Sequence, residues 1–294
     1  MHRRSFLKTS AAGLAGGLSL AAFGCAEPES VATSDAAPAA STGTNSLSSI
    51  GIQLYTLRNQ MAEDFTGTIE RLAEIGYNEL EFAGYYGNTP EQVKALLDRL
   101  GMRGTSAHHG LGDLNNNLSA ILDTSEAIGI EHIVLPYIGE DMRSEAGYGQ
   151  LADACNRIGA ACNERGFGFA YHNHDFEFDP LGEATAMDFL LQNTDPAVVN
   201  IELDLFWVAV ADHDPVDFFQ RYPGRFKLCH LKDGQGRTML PVGTGDIDFA
   251  RILAQRELAG LERYYIEQDD ATGQDDPFGL VTTSYNNAAA LRFG

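Results

Sequence analysis

Positive charge is what this chain of 294 residues has least of: 20 Lys and Arg stand against 41 Asp and Glu, a formal net charge of −21. A nucleic-acid partner is excluded on that ground, because affinity for a phosphate backbone comes largely from Lys and Arg displacing condensed counterions. Cysteine is scarce, four in all, and forms no Cys-rich zinc signature. Cys155 and Cys162 are seven apart in a helical pattern, about 10 Å by helix rise and beyond disulfide reach. With Cys229, mid-strand beside His230, they read as small core residues. Long apolar runs are also missing, since the stretch from Ala11 to Gly24 is too short to span a bilayer. No internal repeat is visible, and no Gly-rich phosphate loop follows a strand-like run. What is present, 44% apolar residues and 10% aromatics, suffices for a large core and excludes disorder, collagen-like repeats and disulfide miniprotein scaffolds.

The N-terminus reads as an address. Arg3 and Arg4, followed by Phe6, Leu7 and Lys8, resemble the twin-arginine export signal of bacteria, so residues 1–25 are expected to be removed and the protein to reach the periplasm. Ala22-Phe23-Gly24-Cys25 is similar to a lipoprotein cleavage site, which would make Cys25 a lipid anchor; plain cleavage nearby is the alternative. Without Arg3, Arg4 and Lys8, 17 basic residues face the same 41 acidic ones. Residues 26–49, mostly Ser, Thr, Ala, Pro and Gly, are expected to form a flexible linker, and folding should begin near Ile50.

From there to residue 294, short β-rich runs alternate with helical patterns eight times. The strands are expected at Gly51–Tyr55, Glu79–Phe82, Arg103–Ala107, His132–Pro136, Phe167–His172, Val199–Asp204, Phe226–His230 and Tyr264–Glu267. Helical patterns such as Thr66–Ile75, Pro90–Leu100, Leu151–Arg165 and Asp248–Leu258 lie between them, several closed by Gly76, Gly101 or Gly166. Eight βα units in one domain predict an α/β fold of the (β/α)8 TIM-barrel type, with a doubly wound open sheet as the alternative.

In such a barrel, reactive groups belong at the C-terminal ends of the strands. His172, Asp204, His230 and Glu267 fall at four successive strand ends, spaced 32, 26 and 37 residues apart, one βα unit each time. Two imidazoles and two carboxylates would then converge on one point, a donor set suited to a divalent metal: Mn²⁺ first, with Zn²⁺, Co²⁺ or Mg²⁺ as alternatives. His172 and His174 share a strand face, so one can be a ligand and the other can meet substrate. His108 and His109 carry the same ambiguity after the third strand, one pointing into the mouth and the other outward. Trp207 could stack on a bound ring or close the rim.

The runs Gly51-Ile-Gln-Leu-Tyr-Thr-Leu-Arg58, Glu81-Phe-Ala-Gly84, Tyr171-His-Asn-His-Asp-Phe-Glu177, Glu202-Leu-Asp-Leu-Phe-Trp207, Cys229-His-Leu-Lys-Asp233 and Tyr265-Ile-Glu-Gln268 resemble the xylose-isomerase-like TIM-barrel proteins known as sugar phosphate isomerases/epimerases. In that family a Glu, an Asp, a His and a Glu from the last four strands hold the metal. Asp204, His230 and Glu267 match the last three, while His172 stands where many epimerases have Glu, with Glu177 five residues further on as the rival fourth ligand. The resemblance also implies that Glu81 and Lys232 face substrate.

A metal bound to a carbonyl and a neighbouring hydroxyl acidifies the C–H between them and stabilises an enediolate, and a carboxylate or imidazole takes the proton. Glu267, Glu177 and His174 are the candidate catalytic groups. Reprotonation gives isomerisation or epimerisation; expulsion of a β-leaving group gives a lyase, as on 3-keto-glycosides. With no phosphate cradle in the sequence, an uncharged sugar or keto-sugar is the expected partner. Membrane contact is expected only through a lipid anchor, and a homo-oligomer is compatible with the sequence. A non-catalytic exported sugar-binding lipoprotein is the rival class.

Overall fold

The computed structural model of the protein describes residues 44–294. The expected twin-arginine segment, Cys25 and the linker up to residue 43 lie outside the described residues. Eight strands, β1 (Gly51–Gln53), β2 (Glu79–Phe82), β3 (Arg103–His108), β4 (His132–Leu135), β5 (Gly168–His172), β6 (Asn200–Asp204), β7 (Phe226–Leu231) and β8 (Arg263–Ile266), close into a barrel. Each pairs in parallel with the next, and β8 returns to β1. The doubly wound alternative is thereby excluded.

A parallel sheet covered by crossover helices is buried on both faces and needs apolar strands; Ile133, Val134 and Leu135 are fully buried. Outward-facing strand residues join the helices in one large apolar cluster. Val134, Ala170, Leu228 and Tyr265 make a second, separate cluster. Strand side chains repeat every second residue. The positions two beyond Ala170, Leu228 and Tyr265 are His172, His230 and Glu267, so an apolar plug inside the barrel sets the floor on which polar groups stand. Gly51 is part of this packing, since a Cβ there would lie 2.4 Å from the Tyr265 ring.

Local chemistry accounts for the element ends. Thr89 and Gln92 form a capping box on the helix Pro90–Leu100, which Gly101 closes at φ 67°. β1 is shorter than expected: the Gln53 side chain accepts from Tyr55 N and turns the chain into a 3-10 segment, Leu54–Leu57. The helix expected from Leu151 starts earlier, at Glu145, because Ser144 caps it through Gly147 N. The expected helix Asp248–Leu258 breaks into Phe249–Leu253 and Arg256–Ala259. The chain also engages the barrel before Ile50: Asn45 and Phe293 exchange two backbone hydrogen bonds of 3.0 and 3.1 Å. Cys155, Cys162 and Cys229 are buried and free. No helix among the described residues is long and apolar enough to cross a membrane.

Candidate metal centre and cavity

The last four strands deliver His172, Asp204, His230 and Glu267 to one place: one donor atom from each lies within 4.8 Å of every other. Register explains part of this, since Asp204 and His230 are direct partners across β6 and β7. His230 Nδ1 lies 2.9 Å from Glu267 Oε2 and 3.7 Å from Asp204 Oδ2. Asp204 also caps the helix Leu205–Val210, accepting from Trp207 N at 3.0 Å through Oδ1, which leaves Oδ2 for other work.

The donor set fits a divalent cation. Asp204 Oδ2 and His172 Nδ1 are buried without a hydrogen bond, with only ionic neighbours, Lys232 Nζ at 3.3 Å and Glu202 Oε2 at 3.5 Å, beside them, so both retain lone pairs that a cation could take. Burial, reinforced by the neighbouring imidazoles of His230, His174 and His108, holds His172 well below the ordinary histidine range, so its ring is neutral with a lone pair to give. Burial alone would raise Glu267, but Lys232 and His230 outweigh it and hold the carboxyl well below its usual range. Lys232 Nζ lies 2.7 Å from Asp269, 3.1 Å from Glu267 and 3.3 Å from Asp204, and these carboxylates raise its affinity for the proton against the cost of burial.

A second layer sits beside the first. His230 Nε2 contacts Glu81 Oε1 at 2.7 Å and Glu202 Oε2 at 3.2 Å, and His108 Nε2 contacts the same two oxygens at 3.2 and 2.8 Å. Gln53 Nε2 donates to Glu81 Oε1 at 2.9 Å. The carboxylates overcome burial and raise His108 to about 10. A histidine that ligates a metal through one nitrogen is oriented by a carboxylate on the other, and Glu81 stands in that relation to His230.

Above these groups opens a cavity of about 630 Å³. His108, His172, His174, Trp207, Glu267 and Asp269 line it, with Tyr55, Arg58 and Tyr137. His108 thus takes the inward position expected of one member of the His108-His109 pair, whereas His109 is not among the lining residues. Burial holds His174 down at about 4, leaving it neutral.

A family model for the xylose isomerase-like TIM barrel matches residues 69–266. The chain belongs to that family. Among its relatives are inosose dehydratases of Geobacillus kaustophilus, 23% identical over 62% of this chain and 66% of the relative, and of Lacticaseibacillus casei, 24% identical over 76% and 89%. The match to the first of these spans just under two thirds of its length. Among solved structures, a sugar phosphate isomerase/epimerase from Parabacteroides distasonis is similar with a TM-score of 0.72 and 26% identity, covering 86% of this chain and 98% of that one.

Within this xylose isomerase-like barrel, two further groups expected to face substrate are buried beside the metal-site donors. Glu81 is 0% and Lys232 1% exposed, because ionic partners draw each inward: the two imidazoles for Glu81, three carboxylates for Lys232. Trp207 and His108 do line the cavity. Glu177 is buried as well. Both its oxygens are occupied, one accepting from Tyr171 Oη and the other from His174 N at 2.8 Å, and it belongs to neither donor cluster. It braces the loop that carries His174.

Glu202 and Asp269 escaped the sequence reading. Glu202 lies two residues before Asp204 and so shares its inward face; that spacing was the available signal. Asp269 follows the end of β8. Burial and the nearby Glu267 raise it to about 6.

Glu177 supports a stability prediction. Burial raises its carboxyl to about 7, so the folded protein holds a proton that the unfolded chain releases near pH 4.5. Stability falls as pH rises through that window, by about 3 kcal/mol in all. Glu177→Gln mimics the protonated acid and should match wild type near pH 4, then exceed it by a margin that grows to pH 7 and levels off. Urea midpoints at a series of pH values would read this; parallel curves for the two proteins would refute it.

Proposed function

We propose that this protein is a divalent-metal-dependent lyase of the dehydratase type, acting on an uncharged cyclic keto-sugar or keto-polyol. The convergence of two imidazoles and two carboxylates from β5 to β8 beneath the cavity carries this reading. Similarity to inosose dehydratases supports elimination of water as the outcome. Among the described residues, Arg58 is the single Arg or Lys side chain lining the cavity, which favours an uncharged substrate over a phosphorylated one.

A divalent ion held by His172, Asp204, His230 and Glu267 would act as a Lewis acid on the substrate carbonyl and an adjoining hydroxyl. Glu267, kept ionised by Lys232 and His230, takes the proton from the carbon beside the carbonyl. The electron pair released from that C–H bond forms the new carbon–carbon double bond, and the β C–O pair departs with the hydroxyl. His108, protonated and lining the same cavity, supplies the proton with which that hydroxyl leaves as water. Trp207 offers a ring face to the sugar, and His174 is a neutral second base.

An isomerase or epimerase is the second reading, favoured by the Parabacteroides distasonis likeness. Both share the first proton transfer and part at the product. Incubating the manganese-loaded protein with cyclic keto-sugars and inososes in D₂O should incorporate deuterium beside the carbonyl and build up an unsaturated or dicarbonyl product. Exchange that returns only stereoisomers would select the epimerase. No exchange into any of them would leave a sugar-binding protein without turnover as the better account.

Export through the twin-arginine route, with delivery to the periplasm, is part of the proposal and rests on Arg3, Arg4 and the segment to Cys25. Because that route carries folded proteins, the metal centre could be filled in the cytoplasm. Changing Arg3 and Arg4 together to Lys should hold the precursor in the cytoplasm, as fractionation would reveal; unaltered export would assign the general secretory route. Cys25→Ser should release the protein from membranes if Cys25 is acylated.

A further inference from the structure

Glu202 and Glu81 are both 0% exposed, and each keeps one carboxylate oxygen, Glu202 Oε1 and Glu81 Oε2, without a hydrogen-bond partner among the described residues. Such atoms are uncommon in a protein interior. Packing alone gives no reason for them, since apolar side chains of similar volume generally serve a core as well as buried ionic groups do. Their other oxygens divide two histidines between them. Glu202 Oε2 makes a short contact to His108 Nε2, at 2.8 Å, and Glu81 Oε1 makes one to His230 Nε2, at 2.7 Å, while both crossed distances are 3.2 Å. The His108 and His230 rings lie 5.7 Å apart and within 17° of parallel. Two carboxylate–imidazole pairs therefore run side by side, Glu202 of β6 with His108 of β3 and Glu81 of β2 with His230 of β7.

The two pairs end in different places. His230 turns its other nitrogen, Nδ1, toward Glu267 and Asp204, the candidate metal donors. His108 commits Nε2 to the two carboxylates, and its ring borders the cavity, which leaves Nδ1 as the nitrogen for a bound substrate. A third imidazole, that of His172, lies 3.5 Å from Glu202 Oε2 through Nδ1, too long for an ordinary hydrogen bond. Glu202 itself is not among the residues lining the cavity. A ring held by a carboxylate on its far nitrogen presents the near one in a set direction. Direction matters here, because a misplacement of about 1 Å can cost about 100-fold in rate.

We propose that Glu202 is the positioning residue for the acid of the reaction, holding His108 so that Nδ1–H meets the departing hydroxyl, whereas Glu81 serves the metal through His230. This rests on the lyase reading above. In the step concerned the β C–O bond breaks with its electron pair on oxygen, and the His108 Nδ1–H bond breaks to give that oxygen its proton. Water leaves, and the neutral ring keeps Nε2–H on Glu202. A fluoride at the same carbon departs as an anion and needs no such proton. The manganese-loaded protein is therefore given an inosose and its analogue with fluorine in place of the β-hydroxyl. The two elimination rates are compared as a ratio, which cancels effects on the first proton transfer that both share. Glu202→Gln should lower the hydroxyl-to-fluoride ratio by about 10²-fold or more, as should His108→Gln, and the double variant should do no worse than His108→Gln alone. Glu81→Gln should instead weaken manganese binding about 10- to 100-fold and move the ratio little. In Glu202→Gln, equal losses on both compounds, or an unchanged ratio, overturn the assignment. The pairing is also read without turnover. In zinc-loaded protein carrying ¹⁵N-histidine, the His108 Nε2–H proton, identified by its absence from His108→Gln, should resonate far downfield, and should lose that position in Glu202→Gln but keep it in Glu81→Gln. Its persistence in Glu202→Gln overturns the pairing. Its loss there, in a protein that eliminates neither group, keeps the pairing and removes the lyase reading. If Glu202→Gln does not fold, Glu202→Asp, whose carboxylate stands one methylene short of His108, should show both effects in smaller measure, and a wild-type ratio and resonance in that variant overturn the proposal.

Discussion

Asp204→Asn is expected to lose stoichiometric metal and, with it, the thermal stability that metal confers. Asn keeps the size of the side chain and the cap on Leu205–Val210, because its oxygen can still accept from Trp207 N. Only the charge at Oδ2 is removed, next to Lys232 and within reach of His230. Losing a partner that merely orients a ligand already costs about 10- to 100-fold in metal affinity, so loss of the ligand charge should cost at least the upper end of that range. At metal concentrations about 100 times the dissociation constant, binding stabilises the folded state by about 2.7 kcal/mol. For a chain of this size that is a melting-temperature difference on the order of 5 to 10 °C. Elemental analysis after desalting, with melting curves in manganese and in EDTA, would measure both; His230→Ala should behave likewise. Full occupancy in both variants would rule out the assigned ligands.

Glu267→Gln is expected to lower turnover by about 10²- to 10⁴-fold at saturating metal, the usual effect of losing a positioned general base. The residue contacts His230 Nδ1 at 2.9 Å and Lys232 Nζ at 3.1 Å, so metal affinity should fall as well, and the comparison is made at metal levels that fill both proteins. Under those conditions sugar binding, followed by calorimetry, should persist while deuterium incorporation beside the carbonyl is lost. Wild-type exchange in the filled variant would move the base to another cavity residue, with His174 the first to test. Its depressed affinity for the proton makes it neutral at physiological pH, though a weaker base.

Much of this site was legible in the sequence because a TIM barrel converts a one-dimensional regularity into a point. Recurrent strand runs with Gly-closed helices between them define eight βα units, and polar groups at four successive strand ends must converge once the sheet closes. His172, Asp204, His230 and Glu267 were therefore readable as a set, although each alone could have been a cap or an ion pair. The apolar residues two positions before three of them, Ala170, Leu228 and Tyr265, carry the same information about which face is inward. Glu202 obeys that period too.

Charge compensation across the barrel could not be read along the chain. Whether Glu81 faces substrate or turns inward depends on His108 and His230, 27 and 149 residues away, and Lys232 is buried because three carboxylates from two other strands surround it. Glu177 looked like a ligand by its distance from His172, yet Tyr171 Oη and the backbone of His174 occupy both its oxygens. The cavity rim is also a tertiary product, since Tyr55 and Tyr137 are 82 residues apart and line one cavity only because the segments after β1 and β4 both border it. The sequence by itself determined the barrel, its inward faces and the residues able to hold a metal, because those follow from periodicity and from the spacing of βα units. Only the tertiary structure decided which charged groups are neutralised in the interior and which line the cavity, because that balance is struck between side chains brought together from strands distant in sequence.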